Sequence, residues 1–167
     1  MNKFREIKPA DIGSDVFTRI GKQWMLVGAG NAESHNMMTA SWGGLGVLWN
    51  KPVSTVYIRP SRYTLEFVER EEYYALCFFE ESYREVLTFC GRHSGRDGDK
   101  CRETGLTPRF DEAAPYFEEA ELVLICRKLY AQDMDPACFL DASIEDNYHG
   151  SDYHRIYIGE IVKVLTK

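Results

Sequence analysis

Short apolar runs, β-branched or alternating with polar residues, recur along the chain between turn-forming residues. Residues 23–29 (QWMLVGA) form the first run, closed by Gly30-Asn31, and 37–42 (MMTASW) the second. A third, 45–48, follows Gly43-Gly44, and 52–58 (PVSTVYI) is the clearest. Residues 73–79, 121–132 and 155–165 complete the set, the last carrying Ile156, Ile158, Ile161, Val162 and Val164 around Gly159. Runs of this length and content predict strands. Helical spacing is rarer. Residues 62–71 set Tyr63, Phe67 and Arg70 at helical intervals beside Leu65 and Val68. Residues 83–90 put Val86, Leu87 and Cys90 on one face before Gly91, and 98–104 predicts a short helix stopped by Gly105. The pattern is mainly β (α+β): a closed barrel or a sandwich, with helices covering its openings. A barrel is preferred because so many strands otherwise leave long exposed edges.

Composition narrows the class. The 167 residues carry no linker, repeat or low-complexity tract, so residues 1–167 are read as one domain. Apolar residues make up 44% and charged residues 28%, the ordinary balance of a globular protein and not of a disordered one. The net charge of −6 argues against nucleic acid or an anionic membrane as a partner for the whole surface. An anion must then be held by a local basic cluster. The five cysteines are irregularly spaced without a Cys-x-x-Cys pair, and Cys77, Cys90 and Cys126 sit in apolar company, which suits a reducing compartment. The N-terminal residues 1–13 lack the apolar core of a signal peptide, and no run approaches the roughly 18 residues that span a bilayer. A cytoplasmic, soluble protein is expected.

The strongest chemical signal is Ile58-Arg59-Pro60-Ser61-Arg62-Tyr63-Thr64. A strand ends at Arg59, Pro60 cannot continue a central ladder, and Ser61 suits the N-cap of the helix that follows. Unpaired N–H groups at a helix start, two guanidinium forks, and the Ser61 and Thr64 hydroxyls together make a phosphate seat. The alternative is a simple cap, with both arginines paired to surface carboxylates such as Glu66.

Asn36-Met37-Met38-Thr39-Ala40-Ser41-Trp42 precedes that fragment, and the segment from Lys51 to Thr64 extends it. With Ser94-Gly95-Arg96-Asp97, Lys100, Glu103-Thr104-Gly105-Leu106-Thr107, His154 and Ile158-Gly159-Glu160-Ile161, the chain resembles the flavin reductase and flavoredoxin family over nearly its whole length. The resemblance implies an FMN-binding split β-barrel with short covering helices, and a homodimer with FMN near the subunit interface. It implies that Thr39, Ala40, Ser41 and Trp42 line the flavin ring, that Arg59, Ser61, Arg62 and Thr64 hold the phosphate, and that Lys100 reaches the cofactor. It also brings His154 to the flavin's open face as the candidate catalytic residue. The 39–42 segment suits a flavin: small residues let the backbone approach, while Trp42 and Met38 offer apolar surface. Its alternative is a strand with Thr and Ser in solvent and Trp in the core.

Other signals are weaker. The loop 90–100 is rich in glycine and cations but fits no phosphate-loop or dinucleotide fingerprint. There Asp97 reads as the cap of a short helix, and Arg96 or Lys100 as cofactor or substrate contacts. Cys90-x-x-His93 lacks a second ligand pair for zinc, so no metal is expected. No serine sits in a nucleophile motif. The expected function is an NAD(P)H-dependent flavin reductase, with NAD(P)H as donor of hydride to the flavin. The alternatives are a flavoredoxin-like electron carrier exchanging electrons with a redox partner protein, and a non-catalytic FMN-binding protein.

Overall fold

The computed structural model describes residues 4–13 and 15–167. Residues 1–3 of the N-terminal segment considered above lie outside that range. Strands β1 (Arg5–Ile7), β2 (Met25–Gly30), β3 (His35–Ala40), β4 (Gly43–Leu48), β5 (Lys51–Ile58), β6 (Tyr73–Phe78), β7 (Pro108–Arg109), β8 (Tyr116–Phe117), β9 (Leu122–Asp133) and β10 (Arg155–Thr166) are interleaved with helices α1 (Val16–Thr18), α2 (Thr64–Arg70), α3 (Arg84–Arg92) and α4 (Lys100–Thr104). β7 and β8 form a separate hairpin.

The main sheet is antiparallel and runs β3-β2-β6-β9-β10-β5-β4, with β1 also on β10. β10 is long enough to serve two partners on one edge: residues 155–160 pair with β5 and 164–166 with β1. The two ends of the order, β3 and β4, are consecutive in the chain and joined by Ser41-Trp42 alone. A link this short brings the ends of the curled sheet together, giving a barrel with a seam at that link.

Both faces of the central strands are buried. Met25, Val27, Tyr74, Leu76, Phe78 and Leu124 pack on one side, and Leu26, Ala75, Cys77, Val123 and Ile125 on the other. This is why 23–29 and 73–79 read as continuous apolar runs and not as alternating ones. The second face is covered by Leu87 and Cys90 of α3, Cys101 of α4 and Phe117 of β8. All five cysteines are free, four of them buried. Among the described residues no helix is long and apolar enough to cross a membrane.

Two glycine expectations are corrected. Gly43-Gly44 is no turn: it begins β4, opposite Val56 and Thr55, and a Cβ at Gly43 would lie 2.8 Å from the Thr55 carbonyl oxygen. Gly91 does not end its helix; α3 continues to Arg92, and a Cβ at Gly91 would meet that of Thr39 at 3.3 Å. Both glycines serve close approach of backbones around the seam.

Candidate functional site

β3 delivers Met38, Thr39 and Ala40 to the seam, and Ser41-Trp42 crosses it. In the antiparallel pairing of β5 with β10, Ile58 faces Arg155, so the residues just beyond them, Arg59 and His154, meet at one end of the barrel. Met38, Thr39, Ala40, Ser41, Trp42, Tyr57, Arg59, Ser61, Arg62 and His154 line a pocket of about 300 Å³. Beside it lies a cavity of about 90 Å³, whose walls include Asn36, Thr64, Arg92, Ser94 and Lys100. The two spaces share Met38, Ser61 and Arg62. Every candidate residue of the sequence reading except Arg96 therefore falls on one of two adjoining spaces.

The smaller cavity has the electrostatics of an anion seat. Lys100 is 5% exposed, and its Nζ donates to the carbonyls of Met37 (2.7 Å) and Cys90 (3.1 Å). An ammonium has three donors, so one remains beyond these two bonds. Burial lowers the Lys100 pKa, and the neighbouring Arg62 lowers it further. Burial also lowers that of Arg62, whose Nη2 donates to the Gly91 carbonyl at 2.6 Å. Two adjacent desolvated cations are costly unless an anion joins them. Thr64 adds a buried hydroxyl, which accepts from Asn36 Nδ2 at 3.0 Å and keeps its own proton to donate. A dianionic phosphate fits this donor set.

Ser61 and Arg59 depart from expectation. The helix begins at Thr64, not at 62, and spans seven residues; Tyr63 precedes it with no side-chain cap. Ser61 caps nothing. Its N–H and hydroxyl donate to the Asp152 carboxylate at 2.9 and 2.6 Å, and Arg59 lies 3.9 Å from the same group. Arg59 also donates to the Asn147 carbonyl at 2.8 Å and rests over the Tyr148 ring, 5.0 Å from its centroid. A carboxylate thus already occupies the Ser61–Arg59 donors, which leaves Arg62, Lys100 and Thr64 as the donors lining the smaller cavity. Asp152, Tyr57 and Tyr148 were missed from the sequence.

The larger pocket is flatter and more apolar. Trp42 is 46% exposed, so the reading of a core tryptophan fails; its ring lies 5.3 Å from that of His154. The Thr39 hydroxyl donates to the Leu87 carbonyl, tying the seam to α3. His154 is buried, with Nδ1 2.8 Å from the Tyr148 hydroxyl. Burial first, and the Arg59 charge second, push its pKa down to about 4, so the imidazole is neutral at pH 7. It can orient a partner through a hydrogen bond but carries no charge to offer.

The 90–100 loop divides. Lys100 enters the anion seat, whereas Arg96 stays at the surface, paired with Glu66 and over the Tyr63 ring. The cap of α4 is Asp99, accepting from Cys101 N and Arg102 N, and not Asp97. His93 stacks on Phe89 with centroids 3.9 Å apart.

Residues 17–167 match the model of the family described as the flavin reductase like domain. The chain belongs to this family. No curated protein matches the sequence. Among solved structures, flavoredoxin from Methanosarcina acetivorans is 22% identical with a TM-score of 0.69, covering 87% of this chain and 68% of its own. A protein from Shewanella frigidimarina NCIMB 400 described with a split barrel domain is also 22% identical, with a TM-score of 0.69 and coverage of 93% and 76%. An FMN-binding protein from Thermus thermophilus with bound p-hydroxybenzaldehyde is 21% identical, with a TM-score of 0.68 and coverage of 86% and 71%. The fold of this flavin reductase-like chain is therefore the split barrel, its seam at Ser41-Trp42.

Proposed function

We propose that this flavin reductase-like chain binds FMN across the seam and is reduced there by NADH or NADPH. The observation that carries the reading is half-buried Arg62 with buried Lys100 beside the 39–42 segment: a seat for one phosphate group next to a pocket for a ring. When bound, the flavin supplies the hydride-accepting chemistry. Arg62, Lys100 and Thr64 hold the phosphate. Thr39, Ala40 and Ser41 present backbone and small side chains to the ring's polar edge, and Trp42 shields its apolar end. Neutral His154, fixed by Tyr148, orients the incoming nicotinamide by hydrogen bonding within the pocket.

Anaerobic mixing of FMN-loaded protein with each nucleotide tests this. Loss of the flavin's visible absorption is expected, with His154→Ala slowing it about tenfold, equivalent to about 1.4 kcal/mol of barrier. FMN affinity should stay unchanged in that variant. Failure of both nucleotides to bleach the flavin within minutes transfers the assignment to an electron carrier fed by a protein donor. We also propose a homodimer. Its support is the exposed apolar tip of the β4–β5 hairpin, where Val47 is 79% and Trp49 53% exposed, with Trp49 near Tyr130 of β9.

A further inference from the structure

On the far side of Trp42 from the anion seat lies a cavity of about 980 Å³. It shares Ser41, Trp42 and Tyr57 with the pocket given to the flavin ring, so whatever fills it lies against that ring. Its remaining walls come from α1 and the residues just after it, the start of β4, the end of β9, the start of β10 and the long connection between those two strands. Ile20, Leu45, Phe139 and Tyr148 are among them. Phe139 and Tyr148 are stacked with centroids 5.8 Å apart, presenting flat aromatic surface.

The charges are as informative as the shape. No lysine, arginine or histidine lines this cavity among the described residues; Asp133 and Asp135 do, the first paired with Arg155 at 2.7 Å and the second accepting from the Ala137 N–H at 2.9 Å. The flavin pocket beside it carries Arg59, Arg62 and His154. A molecule crossing the seam therefore passes from a cationic space into an apolar one whose lining holds no cation among the described residues. A nicotinamide dinucleotide, with its anionic pyrophosphate, finds no partner in the second space. Neither does a free flavin phosphate. An uncharged planar ring system loses nothing on entry and gains the aromatic walls.

We propose that this cavity binds an uncharged, apolar, fused-ring compound of quinone type as the oxidising substrate of the reduced flavin. The inference rests on the FMN reading above. In the step it implies, reduced flavin gives up a hydride equivalent, two electrons and a proton. The quinone takes these with one further proton from solvent and leaves as the hydroquinone, and the flavin returns to its oxidised form.

The charge rule can be read by binding alone, with FMN-loaded full-length protein and oxidised flavin. Calorimetric titration with 2-naphthol and with its 6-sulfonate compares one ring system with and without an anion. The neutral compound should bind at least tenfold more tightly. Gly44→Trp, at a wall position where an added Cβ meets nothing within 4 Å, should fill the cavity and weaken naphthol about tenfold while leaving FMN affinity as it is. Asp135→Lys should improve binding of the sulfonate instead, and does not depend on Gly44→Trp folding. Equal affinity for the two compounds overturns the proposal, as does naphthol binding indifferent to both variants. Naphthol binding that falls in step with self-association also overturns it, giving the cavity to a second copy of the chain. An FMN titration on the same samples separates these outcomes from failure of the flavin reading, because FMN binding persists in each of them.

Discussion

His154 owes its charge state to groups that lie far from it along the chain. The family resemblance implied that it stands at the flavin's open face, and it lines the pocket proposed for the flavin ring. Its neutrality comes from burial and from Arg59, a residue 95 positions away in sequence, which no local pattern reveals. The sign of its linkage is definite. The unfolded chain takes up a proton near pH 6.5 and the folded one only near pH 4, so the stabilising contribution is complete above about 6.5 and lost as pH falls toward 4. At pH 5 the loss from this group is about 2 kcal/mol. Chemical denaturation at pH 7.5 and pH 5 should show His154→Gln losing less stability on acidification than the parent protein; equal losses would give the acid sensitivity to other groups. Asp152 belongs to the same scale. Its bond to Ser61 joins residues 91 positions apart, which is why Ser61 read as a helix cap.

Among the elements, the longer strands were legible as apolar runs buried on one or both faces, and α3 by the helical period of its apolar face. β1, β7 and β8, at two or three residues each, are too short to set up any period and owe their form to the partners they pair with. Glycine carried the most misleading signals, since Gly43 and Gly91 serve packing and not turns. Gly159 extends that lesson. It lies at a register shift in β10 opposite β9, and a Cβ there would fall 2.5 Å from the Tyr74 hydroxyl. Tyr74 is fully buried and bonded to Ser54 at 2.7 Å, with Ser54 in turn 3.2 Å from Cys126 Sγ, so it cannot yield cheaply. Gly159→Ala is expected to cost about 1–3 kcal/mol by overpacking, measured by urea denaturation. A loss below 0.5 kcal/mol, on the order of an ordinary surface change, would mean the ring moves aside freely.

For the whole molecule, the net charge of −6 made a local cationic site the feature to look for, and that inference led to residues 59–64, several of which line the two adjoining spaces. What the sequence could not give was the partition of its arginines, with Arg59 held by Asp152 and Arg62 set beside Lys100. The proposed dimer is tested by sedimentation equilibrium: a mass near twice 19.3 kDa is expected, falling toward the monomer in Trp49→Glu. A monomer at micromolar concentration with FMN bound would remove that proposal. The central claim is that one phosphate group sits between Arg62 and Lys100, and the most direct measurement is a pair of dissociation constants, for FMN and for riboflavin, in the parent protein and in Arg62→Ala. Charge-assisted hydrogen bonds contribute roughly 1.5–3 kcal/mol, so FMN should weaken about 10- to 100-fold while riboflavin, lacking the phosphate, stays within about twofold. Equal weakening of both ligands, or of neither, would contradict the assignment.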